Sequence, residues 1–439
     1  MNWFEFERFA VWGLGVSGVA SANLLARRGK SVVVSDPRSA DALASSLEKL
    51  HPNVEVHLGS NVVNNAEVVV ASPGLKPTLE VFQGLNLPVV SEVEIAHDAA
   101  SCEFLAITGT DGKTTTTALT AHILESCGRR TTAAGNIGTP LCEVVDDFGA
   151  GDYVVAEISA FQLWSTHHFR AHASAFTNIA EDHLDYFPSF EAYVEAKHRL
   201  VKFSGAQDVG VFNTTDRHIA SWIPTFGGVV KTYGQKGDDF WADDTTIYRA
   251  SEPWLELSSC RLKGRHNAMN IMAAAQLAHA AGIDFDEMRD AVASFRPLAH
   301  RVEPVAEVGG VWFYDDSKAT NAHAAMAGIK SLSGPLVVIA GGVDKGLELT
   351  QFASMLTERA KAVVLIGEIA PRLADALRAV GHPRVTVEDS LELAVERSHA
   401  LAAGEGAVVL SPACSSFDMF KSYAHRGEVY QEAVRRLRA

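Results

Sequence analysis

A short apolar run, Phe104-Leu105-Ala106-Ile107, leads directly into Thr108-Gly109-Thr110-Asp111-Gly112-Lys113-Thr114-Thr115. Beyond it, Leu119, Ile123, Leu124 and Cys127 recur at helical spacing before Gly128. A glycine turn between a strand and a helix lets backbone N–H groups and the helix N-terminus converge on a phosphate. Lys113 then supplies a mobile cation and Thr114 a hydroxyl for Mg2+. The usual spacing of such a loop puts glycine at 107, where this chain has Ile107, so the strand before and the helix after carry the reading. A capped helix start with an incidental lysine is the alternative.

The same grammar recurs on either side. Phe9-Ala10-Val11-Trp12 precedes Gly13-Leu14-Gly15-Val16-Ser17-Gly18 and a helical stretch to Arg28, and a second apolar run from Ser31 ends at Asp36. Strand, glycine turn, helix, strand and terminal acid make the unit of a doubly wound nucleotide fold. After Phe295-Arg296-Pro297 the pattern resets, with runs at Val311 to Tyr314, Leu336 to Ala340, Ala362 to Ile366, Val385 to Val387 and Ala407 to Leu410 alternating with helical segments. At 439 residues the chain exceeds one core. The expectation is an α/β protein of three domains. A Rossmann-like domain spans 1–92, a central P-loop-type ATPase domain with a mostly parallel sheet spans 93–297, and a C-terminal Rossmann-like domain spans 298–439.

A net charge of −15 disfavours nucleic acid as a partner. Five scattered cysteines, odd in number and without close pairs, fit reduced thiols in a cytosol. The start, Met1 to Arg8, is acidic where a secretory signal would be basic, and no apolar stretch approaches the ~20 residues that span a bilayer. A cytoplasmic protein without membrane attachment is expected.

Glu157, in Ala156-Glu157-Ile158-Ser159, and His183, in Asn178-Ile179-Ala180-Glu181-Asp182-His183, both follow apolar strands. That puts them at the carboxyl edge of a parallel sheet, where ligands collect and where an acid and an imidazole can hold a divalent cation near phosphates. His167, His168 and His172 lack the spacing of a tetrahedral zinc site and read as residues of a solvated loop. The early glycine turn, taken alone, suggests NAD and an oxidoreductase, and a nucleotide-binding module without turnover is a second distant reading.

The phosphate loop, the Glu157 and His183 stretches, Asp316-Ser317-Lys318-Ala319-Thr320-Asn321 and Ser411-Pro412-Ala413-Cys414-Ser415-Ser416-Phe417-Asp418 together resemble the Mur ligase family over essentially the whole chain. The resemblance implies ATP-driven amide formation in peptidoglycan precursor assembly, on an N-terminal domain for the UDP end of the substrate, a central ATPase domain and a mobile C-terminal domain. The implied substrates are UDP-N-acetylmuramoyl-L-alanine and D-glutamate, with L-glutamate or another acceptor as the near alternative, and the implied state is a monomer.

By resemblance, Gly109, Thr110, Asp111, Gly112, Lys113, Thr114 and Thr115 bind ATP, with Asn267 at the adenine, Arg301 at phosphate and Asp316 at the ribose. Two Mg2+ ions are served by Thr114, Glu157, His183 and Lys197, the last as a carbamate, although as sequence Lys197 reads as an exposed helix lysine. Gly15, Val16 and Ser17 fall at the uridine diphosphate and Asp36 at the uracil, while Asn136, Ser159 and His183 line the muramoyl-alanine end. Lys318, Thr320, Lys345, Ser416, Phe417 and Tyr423 surround the glutamate. Lys113, His183, Lys197 and Lys318 are the implied catalytic set, with Asp182 or His183 assisting deprotonation of the amine. Asp111, Ala160 and Tyr423 depart from the family's common asparagine, serine and phenylalanine.

Overall fold

The computed structural model describes residues 2–79, 82, 84–184, 186–296, 299–332, 334–344 and 349–437. Lys345 and the 297/298 domain boundary lie outside them. The chain divides into two compact units, one of residues 1–260 and 267–295, the other of 261–266 and 296–439.

The first unit carries two sheets. Strands β1 (Arg8–Trp12), β2 (Ser31–Asp36), β3 (Glu55–Leu58), β4 (Val68–Ala71) and β5 (Val89–Val90) form an all-parallel sheet ordered β3-β2-β1-β4-β5, with α1 (Val16–Arg27) and α2 (Ala40–Leu47) as crossovers. The strand order reverses between β1 and β4, so the glycine turn after β1 opens into the crevice where such sheets bind ligands. Helix α3 (Glu92–Ala99) leads into the central sheet.

That sheet contains β6 (Glu103–Thr108), β7 (Thr131–Gly135), β8 (Tyr153–Glu157), β9 (Ala173–Phe176), β10 (Val209–Asn213), β11 (Val229–Gly234), β12 (Phe240–Ala242), β13 (Thr246–Arg249) and β14 (Glu252–Glu256). Its order is β14-β13-β12-β11-β10-β9-β6-β8-β7, parallel up to β12 and antiparallel over the last two pairings. Helices α4 (Lys113–Ser126), α5 (Leu141–Val144), α6 (Ala160–Leu163), α7 (Phe190–Lys202), α8 (Arg217–Trp222), α9 (Arg265–Ala280) and α10 (Arg289–Ser294) accompany it. Strands covered on both faces must be apolar throughout, and β4, β8 and β9 are buried at nearly every position. One hydrophobic cluster runs from Phe9 and Val70 in the first sheet through Val93 and Phe104 to Phe212 and Trp222 in the second, which is why the two sheets make one unit.

The second unit is a six-stranded sheet of β15 (Glu303–Val308), β16 (Val311–Asp315), β17 (Leu336–Gly341), β18 (Ala360–Ile366), β19 (Val385–Val387) and β20 (Ala407–Leu410), ordered β15-β16-β20-β17-β18-β19. Only the β15–β16 hairpin is antiparallel. Helices α11 (Ala322–Ser331), α12 (Thr350–Arg359), α13 (Ala370–Ala379), α14 (Leu391–Ala402) and α15 (Tyr423–Arg436) complete it. No helix among the described residues is long and apolar enough to cross a membrane.

Candidate functional site

The loop after β6 has room for glycine alone at two points. At Gly109 (φ +148°) a Cβ would lie 1.9 Å from Thr177 Oγ1, and at Gly112 (φ +79°) 2.3 Å from Asn270 Oδ1. The neighbouring strand end holds the loop in shape. Thr110 N donates to Asn178 O at 2.7 Å, Asp111 N to Asn178 Oδ1 at 2.9 Å, and Thr177 Oγ1 to Asp111 O at 2.6 Å. The amides of Thr110 and Asp111 are thus spent on the protein. What the loop presents outward is the first turn of α4, whose N–H groups have no intrahelical acceptor, together with Lys113, whose Nζ rests on Thr110 O at 2.7 Å.

Parallel registry brings Glu157 beside this loop, since it pairs with Ile107 on one side and Gly135 on the other. Asn136 Nδ2 donates to Glu157 Oε1 at 2.7 Å, whereas Glu157 Oε2 is buried without a hydrogen-bond partner. A carboxylate oxygen costs free energy to bury in that state, and a cation at that point offsets it. Ser159 caps α6 through a reciprocal pair with Gln162, which fixes the turn after Glu157. His183 sits in the left-handed region (φ +55°), with its ring 4.5 Å from that of Phe161 and its Nε2 3.4 Å from Asp182 Oδ2.

Lys197 departs most from its reading as an exposed lysine: it is 2% exposed. Helix α7 packs it under the loop, where Nζ donates to Gly109 O at 2.6 Å and lies 4.7 Å from the centre of the Tyr193 ring. Burial first, then the nearby charge of Lys113, pushes its ammonium pKa well below the ordinary lysine value, against the opposing pull of Asp182, Asp111 and Glu157. An uncharged amine there has the lone pair that a reaction with carbon dioxide requires.

At the first glycine turn, Gly18 would place a Cβ 1.9 Å from Gly13 O, so α1 approaches the turn as closely as backbone allows. Gly15 and Val16 are exposed at the start of α1, while Ser17 Oγ is buried and unpartnered. Asp36 Oδ2 accepts from Leu14 N at 2.8 Å and from the Arg38 guanidinium at 2.7 Å, and its carboxyl is held at about 2, chiefly by Arg38.

In the second unit the ends of β16, β17 and β20 meet. Arg426, fully buried, donates to Ser317 O at 2.8 Å, Cys414 O at 3.0 Å and Gly341 O at 3.5 Å, tying all three loops. Lys318 Nζ lies 5.6 Å from the centre of the Tyr423 ring, Ser416 is buried, and Phe417 is 72% exposed. Thr320 is exposed on the same edge. Asp316 Oδ2 accepts from Ser411 Oγ at 2.7 Å, and burial raises its pKa to about 7. Arg301 has a buried, unpartnered Nε.

Three family descriptions match in sequence: the Mur ligase MurD-like N-terminal domain over residues 7–90, the Mur ligase middle domain over 107–278, and the Mur ligase glutamate ligase domain over 300–414. The chain is 38% identical to the UDP-N-acetylmuramoylalanine--D-glutamate ligase of Geotalea uraniireducens, across 98% of each chain. The chain belongs to the Mur ligase family. It is also 35% identical to the ligase of the same name from Caldanaerobacter subterraneus, across 98% of this chain and 99% of the relative. In fold, this Mur ligase resembles a pseudomurein peptide ligase type C from Methanothermus fervidus, with TM-score 0.61, 18% identity and coverage of 98% and 100%. A UDP-N-acetylmuramate-alanine ligase from Thermotoga maritima gives TM-score 0.60, 19% identity and coverage of 98% and 99%.

Several residues that build this Mur ligase site carry no local signal in the sequence. Asn178, Thr177 and Asn270 shape the phosphate loop from 66 to 154 residues away. Arg426, on a helix with two other arginines, Arg435 and Arg436, carries nothing in its local sequence that marks it as buried until α15 is packed. The histidine stretch is a loop, as expected, with His167 exposed, but its imidazoles are held by hydrogen bonds. His167 Nε2 contacts Val89 O at 2.8 Å, His168 Nε2 contacts Asp98 Oδ1 at 2.8 Å, and His172 Nε2 contacts Ala280 O at 2.9 Å.

Proposed function

We propose that this Mur ligase is an ATP-dependent enzyme of peptidoglycan precursor synthesis that joins D-glutamate to UDP-N-acetylmuramoyl-L-alanine. The near-full-length similarity to ligases named for that reaction supports it. The observation that carries the chemistry is the phosphate loop at 109–114, with Glu157 and Lys197 beneath and beside it.

The alanine carboxylate attacks the γ-phosphorus of ATP, ADP leaves, and an acyl phosphate forms. The neutral amine of glutamate then attacks the acyl carbon. The tetrahedral intermediate expels inorganic phosphate, and the amine's proton passes to Asp182 or His183. Lys113 and the N–H groups at the start of α4 stabilise charge on the transferring phosphoryl group. Thr114, Glu157, His183 and Lys197 as a carbamate would hold two Mg2+ ions, which would supply further charge neutralisation when bound; the unpartnered Glu157 Oε2 fits that assignment. Asn267 takes the adenine, Arg301 a phosphate and Asp316 the ribose. Lys318, Thr320, Lys345, Ser416, Phe417 and Tyr423 take the glutamate. The domains are assigned as 1–92, 93–297 and 298–439, acting as a cytoplasmic monomer. Phosphate release that requires ATP, UDP-N-acetylmuramoyl-L-alanine and glutamate together tests the reading; release undiminished when either acceptor is omitted contradicts it.

Gly15, Val16, Ser17 and Asp36 form the uridine diphosphate end, with Asn136 and Ser159 toward the muramoyl-alanine. Asp36→Asn removes the anion that orders Leu14 N and Arg38. It should raise the KM for the UDP substrate by about 10-fold, the equivalent of one charge-assisted hydrogen bond of ~1.5 kcal/mol, with little change in kcat. Because the folded carboxyl is held at about 2, its stabilising contribution is full above the ordinary carboxylate range and fades as pH falls from about 4 toward 2. Wild type should therefore lose more stability than the variant across that window in an acid-unfolding series.

A further inference from the structure

Far from the phosphate loop, three segments remote in sequence meet around one carboxylate. Asp98 Oδ1 lies 2.9 Å from His97 Nδ1 and 2.8 Å from His168 Nε2, and these ligand atoms all lie within 4.8 Å of one another. Asp98 Oδ2 is already taken by Trp3 N at 2.6 Å, so the oxygen left over faces two imidazole nitrogens.

The second carboxylate decides what those nitrogens present. Glu94 is fully buried, and its Oε1 accepts from the backbone amides of His167 at 2.7 Å, His168 at 2.9 Å and Phe169 at 2.7 Å. Its Oε2 accepts from Trp3 Nε1 at 2.8 Å and lies 3.3 Å from His168 Nδ1. Glu94 Oε2 therefore stands where it can accept the His168 proton at Nδ1 once Nε2 is engaged by a cation. Without a cation, Nε2–H donates to Asp98 Oδ1 at 2.8 Å; a metal ion would take the place of that proton between the two atoms. A buried carboxylate behind a histidine whose other nitrogen faces a ligand cluster is the arrangement that fixes tautomer and ring orientation in metal sites. The rings are braced further: Trp3 stacks on His168 at 5.7 Å, and His97 packs against Phe104 at 6.4 Å and Phe169 at 5.5 Å.

We propose that His97, Asp98 and His168 form a structural transition-metal site, with zinc as the metal and Glu94 as the outer acceptor that orients His168. Two imidazole nitrogens and a carboxylate suit zinc and disfavour Mg2+, which prefers oxygen ligands. At a tetrahedral centre, bonds of ~2.0–2.2 Å set neighbouring ligand atoms ~3.3–3.6 Å apart, so the pairs at 2.8 and 2.9 Å must open by roughly 0.4–0.8 Å, within reach of small side-chain rotations. The side chains of His97 and His168 are each 26% exposed, which leaves an entry path and a place for a water as fourth ligand. Residues 97–98 end α3 just before β6 begins at Glu103, and His168 precedes β9, which begins at Ala173. The site therefore lies at the entering edge of the central sheet, about 20 Å of strand from the loop that leaves β6. Its role is to clamp residue 3 and α3 to the 167–169 segment.

Chelator-treated full-length protein, His97→Gln and His168→Gln are titrated with Zn2+ against a chromophoric chelator. The active-site cation ligands are intact in all three, so the difference isolates this site. Wild type should bind one equivalent more than either variant, or bind it at least ~10-fold more tightly, and Zn2+ should raise the wild-type melting midpoint alone. Equal Zn2+ binding in all three, or no wild-type binding at tens of micromolar, overturns the proposal and leaves a proton-bridged hydrogen-bond cluster. X-ray absorption at the zinc edge of the wild-type complex gives a readout independent of variant folding: two imidazoles in the first shell are expected, and one or none contradicts it.

Discussion

Lys113→Ala should lower acyl-phosphate formation by at least about 10²–10³-fold, the cost of removing one preorganised group from developing transition-state charge. The fold should survive, because Nζ donates to Thr110 O at 2.7 Å in a part-buried hydrogen bond worth only ~0.5–1.5 kcal/mol. Trapping the acyl phosphate with hydroxylamine, alongside circular dichroism of the variant, separates the two effects. Near-normal trapping in a folded variant would remove the loop from the chemistry.

Lys197→Ala should lose activity by more than the ~10–100-fold that follows loss of an outer-sphere partner in metal sites, because the carbamate is assigned to the cation itself. Short carboxylic acids such as acetate should restore part of that activity. The variant leaves a vacated space under Gly109, lined by Tyr193, in which a small carboxylate can stand where the carbamate stood. The depressed basicity of Lys197, caused first by burial, is what makes the amine available to carbon dioxide. High-resolution diffraction of active enzyme with bicarbonate at neutral pH should show density beyond Nζ. A bare lysine there, or the absence of any carboxylate rescue, contradicts the assignment.

What the sequence made legible follows from how local each cause is. The phosphate loop is written in consecutive residues, because its glycines, lysine and helix start all act within one turn. The fully buried strands are legible for a similar reason, since burial on both faces forces continuous apolar runs such as Val68–Ala71, whereas β7 and β11, half-exposed along most of their length, carry no such run. Lys197 and Arg426 were not legible, since the burial of a cation on a helix is set by what the helix packs beneath. In one case that is the Gly109 carbonyl, in the other three loop carbonyls. The amides of Thr110 and Asp111 look available for phosphate until Asn178, 67 residues on from Asp111, is seen to take both. The histidines at 167 and 168 form no pattern among themselves because their partners come from α3 and from Trp3.

Nothing in single residues sets the handedness of the amino acid, yet the geometry of the reaction demands one. With both carboxylates of glutamate fixed by cations and hydroxyls, inversion at the α-carbon moves the amine by roughly twice a ~1.5 Å bond length, and a misplacement of ~1 Å already costs about 100-fold. The most direct test supplies ATP, UDP-N-acetylmuramoyl-L-alanine and enantiomerically pure D- or L-glutamate separately and measures amide product. The account predicts turnover with D-glutamate at least about 100-fold above that with L-glutamate; comparable or greater turnover with L-glutamate would contradict it.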